Sequence, residues 1–245
     1  MKAMIFAAGL GTRLKPITDT MPKALVPVCG QPLLYHVISK LVAAGYDDLV
    51  VNVHHFPDQI IHYLHSHDFG ARIAVSDERD FLRETGGGIR YAAPLLAGEP
   101  FLVHNVDIIS NLDLGWLREQ HREDALASVV VSERKTQRYF LFDEDNRMKG
   151  WTNIATGEVR SPFPDIDPDR CRKLAFAGIH LMSPVIFEAF DRYGFGDRFS
   201  IVDFYLRACA DYPIYAAVPE DFTLVDVGKK ETLSEAERVC ETILR

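Results

Sequence analysis

Three short apolar runs, at residues 4–7, 49–53 and 73–75, are separated by two stretches whose apolar residues recur at helical spacing. Leu33, Leu34, Val37 and Leu41 carry that spacing within residues 32–44, with Pro32 suited to a first helical turn and Gly45 to a stop. A shorter helix is expected over residues 58–64. Strand and helix alternating in this way imply a parallel sheet with right-handed crossovers. The N-terminal half therefore predicts an open α/β sheet.

Residues 7–27 leave the C-terminal end of the first strand and read A-A-G-L-G-T-R-L-K-P-I-T-D-T-M-P-K-A-L-V-P. Open α/β sheets bind their ligands at that end. Gly9 and Gly11 remove the Cβ that keeps a backbone away from a phosphate, and successive N–H groups in such a loop form a concave anion site. Arg13 adds a planar fork and Lys23 a mobile point charge. A dinucleotide-binding turn needs a third glycine where Leu14 stands, and the G-x-x-x-x-G-K-[ST] motif occurs nowhere. An ordinary glycine turn does not call for the added Arg, Lys and paired prolines.

Charge agrees with a small polyanion as ligand. The chain carries a net charge of −8, but Lys2, Arg13, Lys15, Lys23 and Lys40 against Asp19 alone make residues 1–40 locally positive. A basic site on an acidic protein argues against a general nucleic-acid binder, whose footprint is basic overall. The 245 residues, 47% of them hydrophobic, suffice for one large core. No apolar run approaches the ~20 residues of a membrane span, and no signal-peptide pattern opens the chain. The expectation is a cytoplasmic protein that binds neither membrane nor nucleic acid, as a monomer or small homo-oligomer. Cys29, Cys171, Cys209 and Cys240 lack C-x-x-C spacing and are expected to be reduced packing residues.

Further along, Glu84-Thr85-Gly86-Gly87-Gly88 opens a helical stretch, and three glycines in a row suggest a ligand close to the backbone. Residues 101–109 read as one apolar strand carrying His104, Asn105 and Asp107. A carboxylate in so apolar a strand needs a partner, and a metal ion is the natural one. Residues 126–131 form another strand, and residues 139–158 change to antiparallel hairpins. A proline-rich loop at 161–170 precedes a strand over 174–182, where Gly178 suggests another group passing close. The last third predicts a helix over 201–210 capped by Ser200 with Asp203, strands at 214–218 and 223–227, and a closing helix over 231–244. Five histidines fall between His54 and His67, but with no completing acid or cysteine they read as a solvated helix face. Arg134, Lys135 and Arg138 form a small basic cluster after a strand, which reads as a solvated surface face with a phosphate-side contact as the alternative.

The chain resembles the sugar-1-phosphate nucleotidyltransferases. Their opening G-x-G-T-R-L stands here as Gly9 to Leu14, and their P-K-x-L-x-P-V segment as Pro22 to Val28. Asn105-Val106-Asp107, Phe176-Ala177-Gly178-Ile179 and Val225-Asp226-Val227-Gly228 extend the resemblance across nearly the whole chain. It is most similar to the short N-acetylmuramate-1-phosphate uridylyltransferases, which also lack an appended β-helix. It departs from the wider family at Val106, often Gly, and at Ala24, often Pro.

The resemblance implies an α/β, Rossmann-like three-layer nucleotidyltransferase domain, with a mixed, mostly parallel sheet and a small antiparallel sugar-binding hairpin region. It implies one domain over residues 1–245, in which 1–135 mainly bind nucleotide, 136–220 mainly bind sugar, and 221–245 bring a second metal-binding Asp and the closing helix. The implied reaction joins a nucleoside triphosphate, UTP by preference, to an N-acetylmuramate 1-phosphate-like sugar, releasing pyrophosphate. Asp107 and Asp226 would hold Mg²⁺, Arg13 would clamp the leaving phosphates, and Lys23 would reach the reacting phosphate. Ala8, Gly9, Gly11, Thr12, Glu84, Gly86 and Gly87 would border the nucleotide, and Asn105 and Gly178 the sugar. The alternatives are a mannose- or heptose-1-phosphate guanylyltransferase, and a non-catalytic paralogue that binds sugar nucleotides.

Overall fold

A computed structural model of the protein describes residues 1–228 and 230–243, without the side chains of 230 and 239–243. From the N-terminus the chain forms β1 (Lys2–Phe6), a small hairpin of β2 (Pro27–Val28) and β3 (Gln31–Pro32), then α1 (Leu33–Ala43) and β4 (Asp48–Val53). It continues through α2 (Pro57–His65), β5 (Arg72–Asp77), α3 (Glu84–Tyr91), α4 (Ala93–Leu96) and β6 (Phe101–Asn105). Strands β5, β4, β1 and β6 lie side by side in that order, all parallel. The alternation read from the first hundred residues is realised.

Beyond β6 come β7 (Ile108–Ser110), α5 (Leu114–Glu119), β8 (Ala127–Ser132), β9 (Arg138–Phe142), β10 (Met148–Asn153) and β11 (Glu158–Arg160). The chain closes with β12 (Arg172–Met182), α6 (Ile186–Arg192), α7 (Ile201–Ala208), β13 (Ile214–Ala217), β14 (Leu224–Asp226) and α8 (Lys230–Ile243). The long strand β12 unites the two halves, running antiparallel to β6, β8 and β9. Strand β13 extends the sheet parallel to β8, and β9, β10 and β11 form an antiparallel meander. The result is a mixed ten-stranded sheet with helices on both faces. Among the described residues no helix is long and apolar enough to cross a membrane.

Strand β1 shows why the fold has three layers. Ala3 and Ile5 pack with Leu34, Val37 and Leu41 of α1 on one face, while Met4 packs with Ile89 of α3 and Phe204 of α7 on the other. A strand with apolar residues at both parities has to be covered twice.

Three expectations need correction. The single strand expected over 101–109 is two strands, with Val106 and Asp107 turning between β6 and β7, so the carboxylate stands in a turn at the C-terminal end of a central strand. Helix α6 was not predicted. Cys29 is disulfide-bonded, whereas Cys171 and Cys209 are free. Cys29 sits at φ 49 in the turn joining β2 to β3, and its N–H donates to Glu237 Oε2 of α8 at 3.0 Å. No spacing rule registers a turn pressed onto a distant helix. The side chain of Cys240 and the expected helix end at Leu244 lie outside the described residues.

Beneath the site, His104 on β6 and His180 on β12 are fully buried. His104 Nδ1–H donates to Asn105 O at 2.8 Å, and His180 Nδ1 shares a 2.7 Å hydrogen bond with the Tyr205 hydroxyl. Burial pushes their pKa values down to about 4 and about 3. The unfolded chain then takes up protons near pH 6.5, well before the folded one. The stability this supplies is present above that pH and is lost as pH falls toward the folded values. Urea unfolding should lose on the order of 2 kcal/mol per histidine between pH 7.5 and pH 5. A flat profile over that interval would contradict neutral burial of both rings.

Candidate active site

The loop leaving β1 is built onto the sheet before any ligand arrives. Phe6 pairs in register with Asn52 of β4, and the Asn52 Oδ1 accepts from the N–H groups of Ala7 at 2.8 Å and Ala8 at 3.3 Å. Asn52 Nδ2 donates to Glu78 Oε1 at 2.8 Å, and the Glu78 N–H donates to Val53 O. Glu78 is fully buried, and burial pushes its carboxyl pKa up, a shift the Asn52 hydrogen bond only partly opposes. Asn52 and Glu78 thus fix where the loop starts. Neither was singled out from sequence, although an Asn interrupting the run Val50-Val51-Asn52-Val53 was the available signal.

Further along the loop, Gly11 adopts φ 65, and a Cβ there would lie 2.8 Å from Thr18 Cγ2 and 3.1 Å from Lys23 Cβ. Thr18 Oγ1 donates to Gly11 O at 2.8 Å, closing the loop on itself. Leu14, the residue that breaks the dinucleotide motif, is fully buried in the core. Gly9 has no neighbouring atom within 4 Å of a built Cβ, so it is bare towards open space.

A cavity of about 400 Å³ opens over this loop. Ala8, Gly9, Lys23, Glu84, Asn105 and Asp107 line it, all expected site residues. Phe6, Asn52, Leu82, Thr85 and Ser200 also contribute, unexpected from sequence. Arg13 and Asp226 instead face a second cavity of about 660 Å³. Gly11 and Thr12 line neither.

Two other glycine readings change. Gly86 and Gly87 do not border the cavity. A Cβ on Gly86 would lie 2.2 Å from the Phe199 ring, and one on Gly87 2.3 Å from Asp197 O. Their N–H groups donate to Phe199 O at 2.9 and 3.2 Å, and Thr85 Oγ1 accepts from the Ile201 N–H at 2.9 Å. The start of α3 is therefore bonded to the start of α7, and its glycines admit protein rather than ligand. Gly178, at φ 74 in a bulge of β12, lies beneath Asn105, whose Nδ2 would sit 2.5 Å from an added Cβ. Gly86→Ala is expected to destabilise the fold by about 1 to 3 kcal/mol through overpacking. Gly9→Ala should leave the melting temperature unchanged, and calorimetry on the two variants tests the contrast.

The two carboxylates meet through the short sheet of β7 and β14. Asp226 pairs with Ile108, next to Asp107, and the Val227 N–H donates to Asp107 O at 2.8 Å. Lys23, buried in the loop, forms an ion pair with Asp107 Oδ2. Asp226 Oδ1 is buried without a hydrogen-bond partner among the described residues. Its carboxyl pKa is pushed up by burial first and the Asp107 charge second, against the pull of Lys23, Arg13 and Arg134. Gly228 leaves room for this arrangement, because a Cβ there would lie 2.7 Å from both Arg13 Nη2 and Asp226 Oδ1.

That geometry fits a divalent cation. Mg²⁺ is held by one or two carboxylates completed by substrate phosphates and water, and an orphaned carboxylate oxygen beside a second carboxylate is such a half-site. No cluster of three or more His, Cys, Asp or Glu suited to a metal occurs among the described residues, the histidines of α2 included.

Residues 2–147 match the family model described as nucleotidyl transferase. The chain is 34% identical over 226 residues to an N-acetylmuramate alpha-1-phosphate uridylyltransferase of Caulobacter vibrioides, covering 89% of this chain and 88% of that one. It is 29% identical to a mannose-1-phosphate guanyltransferase of Eremothecium gossypii, over 77% of this chain and 51% of the other. A putative glucose-1-phosphate thymidylyltransferase from Bacillus anthracis, solved with a sucrose, superposes with a TM-score of 0.80 at 20% identity, over 99% of this chain and 96% of that one.

Proposed function

We propose, from the premise that the chain belongs to the nucleotidyl transferase family and is a sugar-1-phosphate nucleotidyltransferase, that it couples UTP to an N-acetylmuramate 1-phosphate-like sugar with the help of Mg²⁺. The observation that carries this reading is the juxtaposition of Asp107, which lines the loop cavity with Lys23, and Asp226, which faces the neighbouring cavity with Arg13. Bound between the carboxylates, Mg²⁺ would neutralise phosphate charge and make the α-phosphorus a better electrophile.

The chain's own residues do the positioning. The loop from Ala8 to Thr12 seats the triphosphate, its entry fixed by Asn52. Lys23 faces the reacting phosphate, and its pairing with Asp107 keeps the ammonium pointed at that centre. Arg13 turns its fork to the departing pyrophosphate, where delocalised charge suits two phosphoryl groups at once. Glu84, at φ 62 and bonded through Oε1 to Arg198 Nε, closes the nucleoside side with Thr85. Asn105, supported by Gly178, faces the sugar. No protein nucleophile is needed, because the sugar phosphate oxygen attacks directly and the enzyme supplies alignment and charge. In this reading residues 1–135 serve mainly the nucleotide and 136–220 the sugar, while 221–245 bring Asp226.

Pyrophosphate release measured with Mg²⁺ across the four ribonucleoside triphosphates and dTTP, each with a panel of sugar 1-phosphates, tests the assignment. Turnover should be greatest with UTP and N-acetylmuramate 1-phosphate. A preference for GTP with mannose 1-phosphate would favour the guanylyltransferase reading, and silence with intact nucleotide binding would favour a non-catalytic role.

A further inference from the structure

The second cavity has a wall that the reaction does not yet use. Besides Arg13 and Asp226 it is lined by the loop between β8 and β9, which contributes Arg134 and Lys135, and by Arg138 at the start of β9. All three are exposed, and none forms an ion pair among the described residues. The nearest carboxylate in sequence, Glu133, turns instead to Arg172 at 3.9 Å. The loop is held in shape, because the Thr136 N–H donates to the Tyr139 hydroxyl at 2.9 Å and Arg134 Nη2 donates to Phe176 O at 2.8 Å. Phe176 lies on β12 two residues before Gly178, over which Asn105 packs. The cationic wall is thereby tied to the segment of β12 that underlies Asn105.

Charge arithmetic narrows what this wall is for. The triphosphate tail is met by Arg13, Lys23 and the glycine loop, and the sugar phosphate by the carboxylate pair and its cation. Arg134 is drawn toward the Asp226 carboxylate that shares the cavity, whereas Lys135 and Arg138 meet no carboxylate at ion-pair distance among the described residues, so an anion entering this cavity would find two uncommitted cations. We propose that Arg134, Lys135 and Arg138 form a subsite for a carboxylate carried on the sugar, so that the acceptor is an acidic sugar 1-phosphate. The inference rests on the sugar-phosphate reading given above and adds the group that selects among sugars. N-acetylmuramate is N-acetylglucosamine bearing a lactyl ether, so the two 1-phosphates differ only by that acidic arm and isolate its contribution.

Equilibrium binding of both sugar 1-phosphates, of UTP and of pyrophosphate is measured by calorimetry with Mg²⁺ on the wild type and on the Lys135→Ala/Arg138→Ala variant. The wild type should bind N-acetylmuramate 1-phosphate more tightly than N-acetylglucosamine 1-phosphate. The variant should lose about tenfold or more for the acidic sugar, as expected when charge-assisted contacts are removed. Affinity for the neutral sugar and for UTP should stay where it was. Equal binding of the two sugars by the wild type overturns the proposal. So does an equal loss for both in the variant, which marks general attraction of phosphate, or a loss confined to pyrophosphate, which assigns the wall to the leaving group. Turnover of the wild type, followed in parallel, separates the two readings. Selective binding of the acidic sugar with no pyrophosphate release under any triphosphate refutes the proposed activity and leaves the subsite standing.

Discussion

Replacing Asp226 with asparagine is expected to raise the melting temperature in the presence of a chelator while cutting Mg²⁺-dependent pyrophosphate release by on the order of a thousandfold. The two effects share a cause. Among the described residues Asp226 keeps one oxygen buried without a hydrogen-bond partner, and burial with the Asp107 charge raises its pKa despite three cations nearby. A raised pKa means that the ionised carboxylate is held at a cost in the folded state. The amide mimics the protonated form and should stabilise the metal-free fold.

Asp107→Asn should reach a similar loss of turnover with the opposite effect on stability. Lys23 is 8% exposed and pairs with Asp107, so the substitution leaves a buried ammonium with only a neutral acceptor. A destabilisation of about 2 kcal/mol is expected, below the 3–5 kcal/mol of a fully buried pair because part of Asp107 meets solvent. Thermal unfolding of both variants in chelator decides the matter. Equal signs for the two would mean that the carboxylates do not divide into one supported by the fold and one held against it.

Residues whose chemistry is local could be read from sequence, and residues whose role is set by register could not. Gly9, Gly11, Arg13 and Lys23 lie in one stretch after one strand, and their arrangement follows from that strand's direction. Asp107 and Asp226 stood out as carboxylates beside apolar runs, although their meeting needed β7 and β14 to pair. The triple glycine misled because entropy alone cannot say whether ligand or protein fills the vacated space. Phe199 and Asp197 fill it, and both belong to a segment brought there by tertiary packing. Arg134, Lys135 and Arg138 stayed between a solvated face and a phosphate-side contact, because a list of residues does not show which cavity they line.

Asn52 is the residue least legible in sequence and the one whose loss should reach furthest outside the metal pair. Asn52→Ala removes the acceptor of two loop N–H groups and the donor to Glu78 in a single truncation. All these groups are buried, so the fold should lose about 3 to 5 kcal/mol, each unsatisfied polar group costing about 1 to 3 kcal/mol and partial relaxation reducing the sum. Glu78→Gln should be nearly neutral, because the amide oxygen still accepts from Asn52 Nδ2 and no buried carboxyl has to be ionised. At a temperature where Asn52→Ala remains folded, the KM for the triphosphate should rise about tenfold, since the energy that held the loop open must then come from the ligand. Unfolding curves and steady-state kinetics on the same preparations separate the two effects. A large stability loss with an unchanged KM would mean that the loop keeps its shape through Gly11 and Thr18 without Asn52. A rise in KM would make the anion site a property of the β1–β4 register, formed before any nucleotide binds.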